Sequence, residues 1–387
     1  MPRRITMLLP HFPPDVAADG QLFALLAREL AARGHTVRVL TFKPRYQGVR
    51  AAAPSREVMD GVRVSRCWAP AGKSLLARAF AAWWVTTVTF WRALFSRGIF
   101  LMPSSPPMLG LVGWWLSWIG RKYIYVLHDI HPELGIALGR LKPGLVAWLL
   151  RFAQRRALAR GRVVTLTPGM ADKARELQPR ANATVIPNWV DTQAITPRAK
   201  ADSAFAREHG LLEPFVIQYS GNLGLLHPLD GLTRAMAELP ECVLCFIGRG
   251  ARLEQTKQLA KDLPNVRFFD YQPLEALPDS LAACDLAVIA LEPGADRLAM
   301  PSKLQGILAA GRPVLALAPP ESELARLIEQ HQCGWVVGDF ADAHAVATAI
   351  RIAMSGPRER YANAARAAAG QYSVQKAADA YEKVLDS

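Results

Sequence analysis

The chain has 387 residues and is 51% hydrophobic, which is enough for two domains with full cores and excludes a disordered chain. Its net charge of +13 is unevenly placed. Residues 1–188 contain 27 Lys and Arg against 9 Asp and Glu, whereas the remainder contains 19 against 24. A positive field confined to one half predicts an anionic partner there. That half has no zinc-finger spacing and no basic region leading into heptads, so we expect an anionic membrane surface and no nucleic acid.

Five cysteines are scattered along the chain, an odd number that is typical of a reducing cytosol. Cys242 and Cys245 form a C-x-x-C inside the strand-like run CVLCFIG, with no second pair or histidine cluster after it. A redox or metal pair would fit that spacing, but two buried apolar thiols are the favoured interpretation. The N-terminus opens directly on the strand RITMLL, which predicts no signal peptide.

The first elements form a β-loop-α-β unit. Apolar patterning predicts a strand over residues 4–9, a loop over 10–19, a helix over 20–33 and a strand over Thr36–Phe42. This is half of a doubly wound fold, in which ligands bind beyond the carboxyl ends of the strands, here at the loop HFPPDVAADG. No G-x-G-x-x-G occurs there, so a dinucleotide fingerprint is absent.

Six of the chain's ten tryptophans lie from Trp83 to Trp118, on two apolar runs that we predict to be helical. The second run, residues 98–120, is uncharged and of spanning length, but three prolines interrupt it. We therefore expect interfacial helices that place tryptophan in the headgroup zone of a membrane. Core helices of a large domain are the alternative, because periodicity does not separate the two.

Four titratable groups follow the next predicted strand, which ends at residue 127. They are His128, Asp129, His131 and Glu133. Such groups serve as acid and base, as metal ligands, or simply as loop polarity, and His-x-x-His lacks an identifiable third ligand. Their position at a strand's carboxyl end favours a functional site.

A second α/β domain is predicted in the other half. Residues 192–212 are polar and look like a linker, and from residue 215 about six short strands alternate with helices, which predicts a second parallel sheet. A final helix over 373–386 is long enough to cross to the first domain. The predicted domains are residues 1–190 with 371–387, and residues 191–370.

The stretch over residues 300–318, MPSKLQGILAAGRPVLALA, is predicted to be a loop, a short helix and a strand. Pro301 would begin the helix, with Ser302 and Lys303 in its first turn. A helix start with a lysine favours a bound phosphate. A solvated lysine in an ordinary helix-to-strand connection is the alternative.

This stretch, together with HDIHPE, VIPNWVD, YSGNLG and FIGRG, resembles the family 4 glycosyltransferases of the GT-B fold, over essentially the whole chain. The S-S-P-P at residues 104–107 is similar to the subgroup that builds bacterial cell-surface polysaccharides of the colanic-acid, capsule and O-antigen kind. The resemblance implies two Rossmann-like α/β domains facing a central cleft, with a C-terminal helix crossing back to the first.

The resemblance also implies a reaction. A hexosyl or N-acetylhexosaminyl group would move from a UDP- or GDP-sugar to a polyprenyl-diphosphate-linked glycan, with retention of configuration and with no metal or cofactor. The leaving phosphate would take the acceptor proton. The enzyme would be cytoplasmic and peripheral at the inner face of the plasma membrane. A non-catalytic GT-B partner protein and a sugar-nucleotide epimerase are the alternatives.

Family likeness further implies the site residues. His128 would lie beside the transferred sugar, with Asp129 and Glu133 as further catalytic candidates, and Lys303 would stabilise the leaving diphosphate. The donor-binding residues implied are Gly20, Asn188, Ser220, Gly221, Asn222, Arg249, Gln272, Pro273, Leu274, Met300, Pro301, Ser302 and Lys303.

The chain departs from the family in its acidic residues. A Glu-x7-Glu pair usually spans the 300–318 stretch, and its two positions here are Leu298 and Gly306. The second glutamate normally holds the ribose hydroxyls, so that role stays open among Gln305, Glu292 and Asp296.

The basic residues also differ. The Arg and Lys that usually follow the first donor-domain strand fall near Asn222 and His227. Phosphate neutralisation then rests on Lys303, with Arg249 and Arg297 as further candidates.

Overall fold

Two compact units make up the chain in the computed structural model, which describes residues 1–44, 52–70, 72 and 74–386. Unit 1 comprises Met1–Trp189, Arg297–Met300 and Val374–Ser387. Unit 2 comprises Val190–Asp296 and Pro301–Ser373. Each unit is built on its own parallel sheet, as the alternation of strands and helices predicts.

Unit 1 contains an eight-stranded sheet in the order β3-β4-β2-β1-β5-β6-β7-β8. All neighbouring strands are parallel except β3 and β4, which form an antiparallel pair. The elements are β1 (Arg4–Leu8), α1 (Ala18–Ala32), β2 (Thr36–Phe42), β3 (Arg56–Met59), β4 (Val62–Cys67), α2 (Leu75–Leu94), β5 (Ile99–Pro103), α3 (Gly110–Trp118), β6 (Tyr123–Leu127), α4 (Glu133–Ala137), α5 (Leu145–Arg160), β7 (Arg162–Thr165), α6 (Pro168–Leu177) and β8 (Asn182–Val185).

The apolar run over residues 98–120 is not a broken interfacial helix throughout, so that prediction is wrong for its first part. Ile99–Pro103 forms β5, which lies inside the sheet between β1 and β6. A strand covered on both faces is apolar at every position, and such a run cannot be told from a buried helix by periodicity. Only Gly110–Trp118 is helical, and it has 9 residues.

Unit 2 contains a six-stranded parallel sheet in the order β11-β10-β9-β12-β13-β14, which confirms the predicted second sheet. The elements are α7 (Ala204–Glu208), β9 (Phe215–Ser220), α8 (Asp230–Ala235), β10 (Cys242–Ile247), α9 (Leu253–Leu259), β11 (Val266–Phe269), α10 (Leu277–Ala282), β12 (Leu286–Ala290), α11 (Leu304–Ala309), β13 (Val314–Leu317), α12 (Glu323–His331), β14 (Gly334–Val337), α13 (Ala343–Ser355) and α14 (Arg358–Ala369).

The polar segment predicted to be a linker is part of the folded unit 2. Its helix α7 buries Phe205 and Ala206, and Leu211 is fully buried just beyond it. Ser203 caps α7 by accepting a hydrogen bond from the N–H of Ala206 at 2.9 Å. The buried apolar residues of this stretch are too few and too scattered to show in composition, yet they are enough to anchor one helical turn.

The last helix, α15 (Val374–Asp386), belongs to unit 1. It packs on α1, and its buried Tyr381 lies edge-on to the Trp189 ring with the centroids 5.6 Å apart. The guanidinium of Arg33 binds both Asp379 and Glu382 at 2.5 and 2.9 Å. The C-terminal residues therefore complete the core of the N-terminal unit.

Cys242 and Cys245 are buried free thiols on β10, which confirms the apolar interpretation of the C-x-x-C. Burial raises the pKa of Cys242 to about 11 and that of Cys245 to about 12. Both side chains are therefore protonated near neutral pH, which is a state that neither binds metal nor exchanges disulfides readily.

Candidate active site

The strand order of unit 2 reverses between β9 and β12. The chain runs from β9 outward through β10 to β11, and then returns to β12 on the other side of β9. In open α/β sheets, ligands bind beyond the carboxyl ends of the strands at such a switch point. The loops after β9, β10 and β12 therefore form the expected binding edge of this unit.

Two glycine-bearing loops are tied together at this edge. The N–H of Gly221 donates to the carbonyl of Ile247 at 2.8 Å, and the N–H of Leu223 donates to that of Arg249 at 2.9 Å. Gly221 and Gly248 have φ of +124° and +132°, which side chains rarely adopt. A Cβ added at Gly248 would lie only 2.2 Å from the Gly221 carbonyl oxygen. The missing side chain at Gly248 lets the two backbones approach this closely, and the positive φ at both positions favours glycine.

Lys303 lies beside this loop pair. Its Nζ is 3.4 Å from the centre of the Tyr219 ring, and a Cβ added at Gly221 would lie 3.4 Å from Nζ. The Nζ atom is buried and has no hydrogen-bond partner within the described ranges. Burial lowers the pKa of Lys303 well below its usual value. A buried amino group that packs on a ring face and has no hydrogen-bond partner among the described residues forms an incomplete anion site.

His227, near the position where the family usually has a cation, is neutral here. Its Nδ1–H donates to the Ala290 carbonyl at 2.7 Å, and its ring packs 5.8 Å from Tyr219. Burial, aided by the charge of Lys303, lowers the pKa of His227 to about 3. Phosphate neutralisation at this edge therefore does not come from His227.

The two further basic candidates already have carboxylate partners. Arg249 is exposed and its Nε binds Asp270 at 2.9 Å. Arg297 belongs to unit 1, where its guanidinium binds Glu176 at 2.6 Å. Lys303 is thus the candidate whose charge is left unpaired among these three.

The three candidates for binding the ribose hydroxyls differ in whether their side-chain oxygens already accept hydrogen bonds within the protein. Asp296 accepts the N–H of Glu323 at 2.6 Å, close to the start of α12. Glu292 has a buried Oε2 that accepts no hydrogen bond from the described residues, although Arg252 Nη2 is 4.0 Å away. Gln305 is also buried, and its Oε1 is likewise unpartnered there.

The start of α11 differs from the prediction. The helix begins at Leu304, so Pro301, Ser302 and Lys303 form the turn before it and do not belong to its first turn. Pro301 is buried and Ser302 exposed, and Lys303 takes the cap position with helical φ and ψ. The helix has only 6 residues, so its dipole is short and the Lys303 side chain is the main source of positive charge.

Of the remaining donor candidates, Met300, Gly20 and Asn188 belong to unit 1, and the others belong to unit 2. Ser220 ends β9 and is half-buried, whereas Asn222 is exposed. Gln272 donates to the Asp270 carbonyl at 3.2 Å in the loop after β11, followed by exposed Pro273. Leu274 begins a short 3-10 turn, and its side chain lies outside the described residues.

In unit 1 the candidates beyond β6 form a partly buried cluster. His128 packs on the Phe23 ring with centroids 5.2 Å apart, and its Nε2 is buried with no hydrogen-bond partner in the part of the chain that the structure describes. Burial lowers the pKa of His128, against the opposing effect of Asp19 and Asp129. Burial likewise raises the pKa of Asp129, against the effect of the neighbouring histidines. The imidazole is therefore neutral, with one nitrogen available for a ligand.

Glu133, Asn188 and Gly20 occupy less open environments in unit 1. Glu133 begins α4, and its Oε1 accepts from Arg151 Nε at 2.6 Å. Asn188 is 3% exposed, and its Oδ1 has no hydrogen-bond partner in the described ranges. A Cβ added at Gly20 would lie 2.9 Å from the His11 carbonyl carbon, so glycine lets α1 approach the loop after β1.

That loop contains residues that the sequence prediction missed. His11 Nδ1 lies 2.8 Å from Asp15 Oδ2, and the Asp15 carboxylate is nearly buried. The fully buried Arg66 side chain binds Glu57 and the carbonyls of Pro13 and Pro54. The loop follows β1, beside the other switch point of the strand order, between β1 and β5. The sequence had indicated a ligand at the loop HFPPDVAADG, but it did not single out His11 or Asp15 within that loop.

No group of three or more His, Cys, Asp and Glu is arranged to hold a metal ion within residues 1–44, 52–70, 72 and 74–386. The absence of a metal or cofactor from the reaction stays a prediction. Across the same ranges, none of the helices combines the length and apolarity needed to cross a bilayer.

Two family models together cover most of the chain. Residues 20–189 match the glycosyl transferase 4-like domain, and residues 203–371 match the glycosyl transferases group 1. The chain belongs to the family 4 GT-B glycosyltransferases.

Curated relatives of this chain are also named as glycosyltransferases, one of them for colanic acid biosynthesis. A putative colanic acid biosynthesis glycosyl transferase, WcaI of Escherichia coli, is 28% identical over 90% of this chain and 91% of its own length. The probable glycosyltransferase WbjE of Pseudomonas aeruginosa is 29% identical, with 56% of each chain matched. The match thus spans little more than half the length of that second relative.

Solved structures share the fold of this glycosyltransferase at low identity. A sucrose-phosphate synthase from Thermosynechococcus elongatus has a TM-score of 0.79 and 17% identity, covering 99% of this chain and 98% of its own. Anabaena HepE in complex with UDP-glucose has a TM-score of 0.75 and 17% identity, covering 99% of each chain. The predicted GT-B architecture is confirmed over the whole chain.

Proposed function

We propose that this enzyme moves a sugar from a UDP- or GDP-sugar to a polyprenyl-diphosphate-linked glycan, with retention of configuration, in bacterial cell-surface polysaccharide synthesis. The observation that supports it best is the buried, unpaired ammonium of Lys303 at the switch point of unit 2. The names of the relatives support the pathway, and HepE shows that a protein of this fold binds UDP-glucose.

A nucleoside diphosphate completes what the Lys303 site lacks. Its phosphate oxygens would accept hydrogen bonds from the ammonium and restore the charged state that burial disfavours. Gly221, whose backbone lies against Nζ, leaves room for the diphosphate because it has no side chain. The donor would therefore bind with its diphosphate between Lys303 and the Gly221 loop.

The same contacts would assist the reaction. As the bond from the sugar C1 to the leaving phosphate oxygen breaks, negative charge grows on the diphosphate, and Lys303 stabilises it. The acceptor hydroxyl oxygen forms the new bond to C1 on the same face, and its proton passes to the leaving phosphate. No protein base is required, which agrees with the neutral His227 and with the ion-paired Glu133.

In unit 1, we assign the sugar-side role to His128. Its neutral imidazole with an unpartnered Nε2 suits a hydrogen bond to a sugar hydroxyl, whereas an imidazolium would oppose charge build-up at C1. Asp129 and Glu133 would then help to position the loop that contains His128. Gly20 lets α1 pack closely against the loop after β1. On the donor side, Glu292 and Gln305 each have a side-chain oxygen without a hydrogen-bond partner among the described residues, so either could accept a hydrogen bond from a ribose hydroxyl.

The reaction is tested by offering UDP- and GDP-sugars to the purified full chain with a polyprenyl-diphosphate-linked acceptor. We expect one donor to be consumed with formation of an elongated lipid, and the product anomer to match the donor anomer by NMR. An inverted anomer would contradict retention. Consumption of the donor to an epimeric sugar nucleotide, with no lipid product, would overturn the proposal as a whole.

A further inference from the structure

Helix α2 exposes an apolar stripe to solvent. Leu76, Phe80, Trp83 and Trp91 recur at helical spacing on one side of it, and Trp83 is 58% exposed. The opposite side is anchored in unit 1 through residues such as the buried Val85. A soluble helix normally turns its polar side outward, so this orientation is inverted.

Helices α3 and α5 repeat the pattern. On α3, Trp118 is 64% exposed and Trp115 is also exposed. On α5, the first turns expose Leu145 (73%), Trp148 (58%) and Phe152. The interfacial helices predicted from the sequence did not include α5, whose apolar and basic residues are mixed along the chain and separate only when the helix is formed.

Ring contacts join the three stripes into one surface. The Phe90 and Trp115 rings, from α2 and α3, have centroids 5.3 Å apart. The Arg156 guanidinium of α5 lies 5.6 Å from the Trp114 ring centre and 4.7 Å from that of Phe152. We call this surface the aromatic face; its exposed members are Leu76, Phe80, Trp83, Trp91, Trp115, Trp118, Leu145, Trp148, Leu149 and Phe152.

The segments that form the three helices carry charges of one sign in sequence, although Glu133, between those segments, pairs with Arg151 of α5. Residues 61–128 and 134–171, which contain all three helices, include fifteen Lys and Arg and no Asp or Glu. Arg155, Arg156 and Arg160 are exposed on α5, next to its apolar turns. Arg160 also lies 4.1 Å from the Trp118 ring centre. Arginine and tryptophan side chains are therefore neighbours on this surface.

We propose that the aromatic face is the surface by which the enzyme docks on an anionic lipid bilayer, a proposal that rests on the lipid-linked acceptor of the proposed function. Tryptophan and arginine favour the headgroup zone, aliphatic side chains favour the layer below it, and anionic lipids attract the excess positive charge. A partner protein would need a matching apolar face, whereas a bilayer explains both the excess of basic residues on these segments and the abundance of tryptophan.

Flotation of the full chain with vesicles tests this assignment. We expect the chain to bind vesicles that contain phosphatidylglycerol. It should not bind neutral phosphatidylcholine vesicles, and high salt should release it from the anionic ones. Leu145→Ala should lower the partition coefficient about 10-fold and Trp118→Ala with Trp148→Ala more than about 100-fold. Ile352→Ala, at an exposed helical aliphatic of unit 2, should leave the partition coefficient unchanged.

Charge is tested by a second matched pair. Arg155→Glu on α5 should weaken vesicle binding about 10-fold or more, whereas Arg326→Glu, exposed on α12 of unit 2, should have little effect. Calorimetric titration with UDP and GDP is run on every variant. Vesicle binding that is equal in the face and control variants, or absent in a chain that still binds nucleotide, would overturn the docking surface and leave the proposed function standing.

Two other outcomes also count against it. If the chain is a dimer that Trp118→Ala with Trp148→Ala converts to a monomer without any vesicle binding, the face joins two copies of the chain. If the face variants lose a co-purifying protein and no lipid affinity, the occupant is that protein. A chain that floats normally and binds no nucleotide would instead contradict the donor site of the proposed function.

Discussion

Replacing Lys303 by methionine should lower kcat/KM about 1000-fold and strongly weaken the binding of nucleoside diphosphates. The substitution removes a buried charge that we expect to contact the diphosphate in both the ground state and the transition state. Methionine keeps the apolar stem against the Tyr219 ring, so the side chain still fills its place. The measurement is steady-state transfer with varied donor.

The same variant should not lose stability, which separates a binding role from a structural one. The folded-state pKa of Lys303 lies below its unfolded value, so the residue binds protons less well in the fold and destabilises the ligand-free chain at any pH below that unfolded value. The ligand-free melting temperature of Lys303→Met should therefore be equal to or above that of the wild type. Lys261→Met, an exposed lysine of the same unit, is the control and should change neither property. A fully active Lys303→Met would remove the phosphate role.

Replacing Arg66 by leucine should lower the free energy of unfolding by about 3–5 kcal/mol, because one partner of a buried ion pair is left without its counter-charge. The Arg66 guanidinium binds the Glu57 carboxylate and holds the Pro13 and Pro54 carbonyls. For a unit of this size we expect a fall of about 10 °C in the melting temperature, measured by calorimetry.

Arg63 provides the matched control for that change. It lies on the same strand, β4, with its side chain exposed, so Arg63→Leu should alter the free energy of unfolding by less than about 0.5 kcal/mol. Because Arg66 holds the loop that contains His11 and Asp15, acceptor affinity should fall along with stability. Equal stability of the two variants would show that the Arg66 interactions are offset by desolvation.

Most of the fold follows from the spacing of apolar residues and from the turn residues that separate the apolar runs. The predicted strand at Thr36–Phe42 agrees with the structure residue for residue, and the strand-like run CVLCFIG forms the strand Cys242–Ile247, since turn residues bound each short apolar run. The errors occurred where local pattern and burial disagree. Ile99–Pro103 is apolar on both sides because neighbouring strands and helices enclose it, and α7 is polar apart from the few residues that it buries.

The location of the candidate site could be predicted from the sequence, but the side-chain contacts within it could not. Strand ends and the PSK stretch indicated the edge of the second sheet at which Lys303 and the two glycine-bearing loops lie, because strand order and loop position follow from the alternation of elements. The isolation of Lys303, the neutrality of His227 and the pairing of Arg249 with Asp270 depend on side-chain packing, which a single sequence does not encode locally. The burial of Arg66 likewise depends on residues from three separate segments.

The most direct test of the Lys303 site is calorimetric titration of UDP and GDP in buffers of different ionisation enthalpy, at about pH 8, where the free nucleotide is fully ionised. Burial lowers the pKa of Lys303 in the ligand-free chain and a bound diphosphate raises it, so binding should take up protons between those two pKa values. We predict proton uptake by the wild type, and weak binding with no uptake by Lys303→Met. Equal affinity and equal proton exchange in the two proteins would contradict the assignment of Lys303 to the donor diphosphate.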